Sequence, residues 1–318
     1  MTAPTSRRPR ATDLLLARDL DPDTLRQLQR SAGTDTRRLR RGVYVATDSW
    51  VGFDTHSRQL ANILAVDSTH RHPVFGHVSA AAIWGLPLAD RAWPAEVHVI
   101  AGQSSYARSK NGVVVHRQQV DDGDVVERNG VLVTSLERTT IDLARTMPFP
   151  VAVAAIDLTL YEKRAGRHVL AREQLIEALL RSPRTNGRAR ARRAIDAARV
   201  GADNAGETLS RLAIIKLGFP EPLLQVQHVN PRGGFYYTDH EWPEYNAIAE
   251  FDGFGKYLKQ ALKLGERAGD VIYEEKIRED HLRDENNDVT RWGPPELRNP
   301  PEIARRLLRI GVPRITGR

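Results

Sequence analysis

Two short strands joined by a tight turn, Phe235 to Lys256 (FYYTDHEWPEYNAIAEFDGFGK), constrain this chain more than any other stretch. The first strand carries Asp239; the second, NAIAEFD, carries Glu250 and Asp252. Ala247, Ala249 and Phe251 alternate with Ile248, Glu250 and Asp252, and a period of two puts the second set on one strand face. Two carboxylates on one face, with a third on the neighbouring strand, resist burial unless something neutralises them. A divalent cation does so, and hard oxygen ligands suit Mg²⁺.

A length of 318 residues suits two or three domains. The apolar and charged fractions, 41% and 27%, are those of a soluble globular protein. No apolar run has the length to cross a bilayer, and the basic start, MTAPTSRRPRATDLLLARDL, does not read as a signal peptide. Cysteine is absent, which excludes disulfides and thiolate metal sites and fits a cytoplasmic protein. The formal charge of +7, mostly arginine, suggests nucleic acid as a partner. The other reading of that surplus is arginine used as a general surface cation.

Along the chain, residues 1–50 outline a small winged helix-turn-helix. A helix is expected from Ala11 through Leu14, Leu15 and Leu16. A second opens at Asp21-Pro22, with Asp21 as its cap. RRLRRGVYVATD then sets a basic patch, Arg37, Arg38, Arg40 and Arg41, against a strand around Val43. The alternative is a short α/β cap with a solvated basic edge. Residues 51–200 read as an α+β region. It begins with one long helix over 51–76 ending at Pro73 and a small-residue helix in HVSAAAIWGLPL, where Ser79 is a candidate cap. Strands follow at VHVI, GVVVHRQQV and GVLVTS. The next helix is capped by Ser135 and carries Arg138 as a surface or phosphate contact. His77 reads as a satisfied polar residue rather than a catalyst. The region closes on a basic helix with alanine on one side and arginine on the other. Residues 201–318 form a further α/β domain. Its first helix has an apolar stripe of Leu209, Leu212, Ala213 and Leu217, and Glu207 stands in the first turn. Strands, a charged helix (VIYEEKIREDHLRDENN), a strand in DVTRWG and a final helix complete it.

Glu207 on its helix, YTDHEWPEY, AIAEFDG, EEKIREDHLRDE and VTRW together resemble the Vsr-like branch of the PD-(D/E)XK nucleases, over about residues 201–318. RRLRRGVYV, HVSAAAIWGLPL, VHVI and VLVTSLERTTIDLA resemble the AbiEi-like antitoxins of type IV toxin–antitoxin systems, over about residues 10–165. The first resemblance implies an α/β/α nuclease fold. Asp239 and Glu250 would hold Mg²⁺, Glu207 and Asp252 would stand close by, and a lysine would position the attacking water. The motif lysine belongs two residues after the acid, where this chain has Asp252; Lys256 or Lys276 are the substitutes. His240 and His281, read as surface residues, are replacements for a histidine that the nuclease pattern places after E-x-D-G. The second resemblance implies operator DNA as a partner, with a cognate toxin encoded alongside.

Two functions follow. One is a Mg²⁺-dependent DNA endonuclease guided by a winged-helix module. The other is a non-catalytic, antitoxin-type autorepressor in which the acids are structural, with Glu250 paired to Lys276 or Arg278.

Overall fold

The computed structural model describes residues 8–30, 34–89, 92–160, 169–253 and 268–315, with side chains in the 268–284 helix described from Tyr273. The chain is mixed α/β with several sheets. It divides into two compact units, residues 1–147 with 173–191 and residues 148–172 with 192–318.

In the first unit, β1 (Leu14–Leu16) precedes α1 (Pro22–Arg30), and β2 (Thr36–Arg40) and β3 (Val43–Ala46) form a hairpin. The three strands make an antiparallel sheet with β3 in the centre. The helix expected from Ala11 is therefore a strand at Leu14–Leu16. Leu14 pairs with Val45 and is buried with Val43, so a cross-strand partner outweighs the helix propensity of three leucines. Consequently one α-helix, not a helix-turn-helix pair, precedes the hairpin among the described residues. α1 starts as expected, with Asp21 Oδ1 accepting from the Asp23 and Thr24 N–H groups, both at 3.0 Å. Gly42, at φ +77°, makes the hairpin turn.

The expected long helix over 51–76 is two shorter ones, α2 (Thr47–Gly52) and α3 (Thr55–Asp67). Asp54 interrupts them because its side chain caps α3, accepting from Ser57 N at 2.7 Å. α3 supplies Ala61 and Ala65 to the underside of the small sheet. The other elements are β4 (Val74–Phe75), α4 (His77–Trp84), β5 (Val97–Ala101), β6 (Val113–Arg117), β7 (Val125–Arg128), β8 (Val131–Thr134) and α5 (Leu136–Thr146). Their five strands form a mixed sheet in the order β6-β5-β4-β8-β7 over a core that includes Ile63, Phe75, Val99 and Val133. Gly76, not Ser79, precedes α4; Ser79 instead accepts from the His98 N–H at 2.8 Å. Ser135 caps α5 as expected.

The chain continues through α6 (Phe149–Leu160), α7 (Arg172–Arg181), α8 (Arg188–Ala197) and α9 (Ala205–Lys216). In the second unit, β9 (Val226–Val229) and β10 (Phe235–Thr238) are antiparallel, and Asp239 separates β10 from β11 (His240–Trp242). β11 runs antiparallel to β12 (Ala247–Phe251); after α10 (Ala268–Asp284), β13 (Asp288–Trp292) returns parallel to β12. α11 (Pro294–Leu297) and α12 (Pro300–Arg309) close the unit. All five residues of β12 are buried. Ala247, Ala249 and Phe251 pack with Ile214 of α9 and Leu307 of α12, while Ile248 packs with Leu282 of α10 and Val289. The strand is thus covered on both faces, which the alternating pattern alone did not require.

The leucine stripe expected to bury α9 lies only partly inside. Glu207, Thr208, Ser210 and Arg211 are the buried residues with Ile214. Their cover is polar: Asp157 of α6 accepts from Thr208 Oγ1 at 2.8 Å and Arg211 Nη2 at 3.0 Å. A Cβ on Gly206 would lie 1.9 Å from the Phe251 ring. Gly206→Ala is therefore expected to cost about 1–3 kcal/mol by overpacking, read in urea unfolding; an unchanged midpoint would show that the ring moves aside freely.

Candidate functional site: an arginine-clamped acid cluster and a basic hairpin

Glu207, in the first turn of α9, is 1% exposed. Its Oε2 accepts from Asp203 N at 2.6 Å, and Oε1 accepts from Asn204 Nδ2. Asp239 sits where β10 passes into β11 and accepts from Phe251 N at 2.8 Å. Glu250, 4% exposed, is the next-to-last residue of β12 and sits in an arginine clamp. Arg278 of α10 donates to both carboxylate oxygens, to Oε2 at 3.0 Å, and Arg291 of β13 lies 3.1 Å from Oε2. Parallel register puts Arg291 beside Glu250.

Glu275 and Glu279 share these arginines. Glu275 Oε1 lies 2.8 Å from Arg278 and 2.6 Å from Arg291, and Glu279 Oε2 lies 3.1 Å from Arg291 Nε. Burial opposes the Arg278 charge, but the hydrogen bonds and charge of Glu250, then Glu275, outweigh it and raise its pKa. Asp252 is partly exposed, with its carboxylate 3.9 Å from Arg291. Lys276 is exposed on α10, and Lys256 lies outside the described residues. His240 is not a surface residue: it is wholly buried, bonded to the Glu207 carbonyl at 3.0 Å, and pushed down to about 4 by burial. His281 is partly buried against the Tyr236 hydroxyl. The alternative pairing of Glu250 with Arg278 is the one formed. Arg291 was missed; its signal was the arginine in VTRW, which the parallel return of β13 brings beside Glu250.

Of the two acids that the nuclease resemblance assigns to Mg²⁺, Glu250 commits both oxygens to guanidinium N–H groups, which as arranged does not fit a metal, whereas Asp239 accepts from Phe251 N through one oxygen. Among the described residues, no group of three or more acids or histidines is placed to hold a metal.

At the edge of this unit, His228 on β9 bridges two carboxylates, Glu241 at 2.7 Å and Glu285 at 2.6 Å. Burial lowers its pKa, but these two partners raise it further, above the ordinary 6.5. The doubly bridged imidazolium therefore contributes fully below 6.5 and is lost as pH rises through its raised value. His228→Gln is expected to cost about 1–3 kcal/mol in mildly acid solution and less on the alkaline side. Unfolding curves of both proteins across that range check it; a constant difference would refute the bridge.

In the first unit, Arg37, Arg38 and Arg41 are exposed on the β2–β3 hairpin, and Arg40 is half-buried, with its pKa lowered by burial. Arg37 lies over the Trp50 ring, 4.7 Å from its centroid. Among the described residues none of the four forms an ion pair, whereas Arg278, Arg291 and Arg211 all do.

No family model matches the chain. Two uncharacterized proteins of Mycobacterium tuberculosis, Rv2248 of strain H37Rv and MT2308 of strain CDC 1551, are each 27% identical over 157 residues, 49% of this chain. The chain spans about half the length of these relatives, 55% of each. The crystal structure of the RV2827C protein from Mycobacterium tuberculosis aligns with 61% of this chain and 79% of its own, at 18% identity and a TM-score of 0.36. Among the described residues no helix is long and apolar enough to cross a membrane.

Proposed function

We propose that the protein is a DNA-binding regulator of the antitoxin type, in which the 201–318 segment is a nuclease-like fold whose acid site is closed by arginine. The observation that carries DNA binding is the hairpin. Four arginines stand within five residues, three exposed, with no carboxylate paired to any of them among the described residues. Guanidinium groups match phosphate geometry, and binding to DNA would relieve the desolvated charge of Arg40. The observation that favours a silent acid site is Glu250, whose two oxygens are satisfied by Arg278.

The test is fluorescence anisotropy on duplex DNA from upstream of the gene. Arg38→Ala and Arg41→Ala are each expected to weaken binding and to lower the salt slope by about 1. Affinity indifferent to both changes and to salt would sink the proposal.

A second reading, a Mg²⁺-dependent endonuclease, is favoured by the element order. A helix with Glu207, two antiparallel strand pairs with Asp239 between β10 and β11 and Glu250 in β12, a helix and a parallel strand are in keeping with the order that the PD-(D/E)XK resemblance implies. Four carboxylates (Glu250, Asp252, Glu275 and Glu279) around two guanidiniums also leave an excess of negative charge. Plasmid nicking with Mg²⁺ that disappears in Asp239→Ala would establish this reading over the first.

A further inference from the structure

The motif residues His77, Arg138 and Asp142 play no part in either reading, yet they converge beside one cavity of the first unit. The cavity measures about 640 Å³, within the range of small-molecule sites. Its wall is formed by the end of β6 and the loop after it, the start of α5, and the stretch 178–184.

Arg138 is not a surface contact but a fixed part of that wall. It bonds Asp124 at 2.6 Å, Asp142 at 3.0 Å and Gln118 at 2.5 Å. Arg181 is paired to Glu137 at 2.7 Å. The other two arginines on the wall, Arg117 and Arg184, form no ion pair among the described residues. Arg184 Nη1 is buried without a hydrogen-bond partner.

Behind the wall, Asp142 is wholly buried, and its Oδ1 has no partner. Arg145 is 4% exposed, with Nε and Nη2 likewise unpartnered. Beside them lie three imidazoles. His98 and His116 are hydrogen-bonded at 2.9 Å, His116 stacks on His77 with centroids 3.8 Å apart, and His77 contacts Gln118 at 2.8 Å. Burial, then the neighbouring histidines, push His77 and His116 down to about 3, so both rings are neutral and offer hydrogen bonds without charge. His77 also holds a left-handed backbone, φ +50°, a strained conformation of the kind that clusters at binding sites. So many unsatisfied buried polar atoms in one place require a reason that packing does not supply.

We propose that this cavity binds a small phosphate monoester bearing hydroxyl groups. Arg117 and Arg184 take the phosphate, because they are the guanidiniums on the wall that form no ion pair among the described residues. Asp121 and Asp124 on the same wall disfavour a purely anionic ligand and accept from hydroxyls, as does the exposed side chain of Gln119. The lining has no Phe, Tyr or Trp, which selects a sugar phosphate over a stacked base. The site does not depend on DNA binding.

The test is calorimetric titration of the full chain with ribose 5-phosphate, with inorganic phosphate and ribose as separate arms. Saturable binding of ribose 5-phosphate, tighter than of either fragment, is expected. Arg184→Gln and Arg117→Gln are each expected to weaken it at least about tenfold, the loss of one charge-assisted hydrogen bond. Arg30→Gln, on the exposed side of α1, is the control for anions held by the basic surface. Because Arg117 is exposed, its variant keeps the test valid if Arg184→Gln fails to fold. The His116 ring resonances should shift on titration while those of His228 do not. No saturable binding, unchanged affinity in Arg117→Gln, or equal affinity for inorganic phosphate would overturn the proposal.

Discussion

Asp157→Ala is expected to remove about 3–5 kcal/mol from the stability of the unit formed by residues 148–172 and 192–318. Asp157 is wholly buried, and its partner Arg211 is 1% exposed. One carboxylate oxygen accepts from Arg199 N at 2.7 Å, the other from Thr208 and Arg211. Burial raises the Asp157 pKa, opposed first by the Arg211 charge and then by these hydrogen bonds. Truncation removes the carboxylate and leaves a buried guanidinium whose remaining counterion among the described residues is Glu221, at 2.9 Å. The penalty is thus the desolvated arginine rather than the lost bond. Trp242 and Trp292 are buried in the same unit and report denaturant unfolding directly. A double change to Asp157→Leu with Arg211→Met should recover most of the loss, since a well-packed apolar pair need not be solvated. A single-variant loss below about 1 kcal/mol would show that water reaches the pair.

Glu250→Ala is expected to cost about 2–4 kcal/mol in the same measurement, less than Asp157→Ala because Arg278 and Arg291 keep 17% and 20% side-chain exposure. The two functional readings diverge on magnesium. If the arginines satisfy Glu250, neither millimolar Mg²⁺ nor chelator moves the melting temperature of the wild-type chain. If Glu250 holds a metal, Mg²⁺ raises that temperature and the rise vanishes in the variant. The clamp reading fails if the second pattern appears.

The strands of the second unit were legible because their turn residues and alternation are local. Ala247–Phe251 and the strand in DVTRW stand where the pattern places them, but the single strand expected to carry Asp239 is two, Phe235–Thr238 and His240–Trp242, paired in different sheets with Asp239 between them. What covers each face was not legible. Asp157 meets Thr208 and Arg211 across 51 and 54 residues, and nothing near α9 announces that its polar side turns inward. Leu14–Leu16 has no period, so strand or helix was decided by Val43 and Val45. For the acid cluster, the acids were evident but their neutraliser was not. Carboxylates on one strand face predict a cation; whether it is a metal or a guanidinium depends on where α10 and β13 come to rest. Among the cavity residues, His77, Arg138 and Asp142 lie in motifs noted in the sequence, but only the mixed sheet brings them together.

The parallel pairing of β12 with β13 also bears on synthesis at the ribosome. Glu250 emerges well before Arg278, and Arg291 emerges later still, so for much of translation the acid has no counter-charge to let it be buried. The sheet cannot close early. Asp157 must wait for Arg211 in the same way, while the earlier unit draws its strands from residues 14–134 and completes its sheets first. A nascent chain released before Arg278 would therefore carry the arginine hairpin while Glu250 still lacks both guanidiniums that let it be buried.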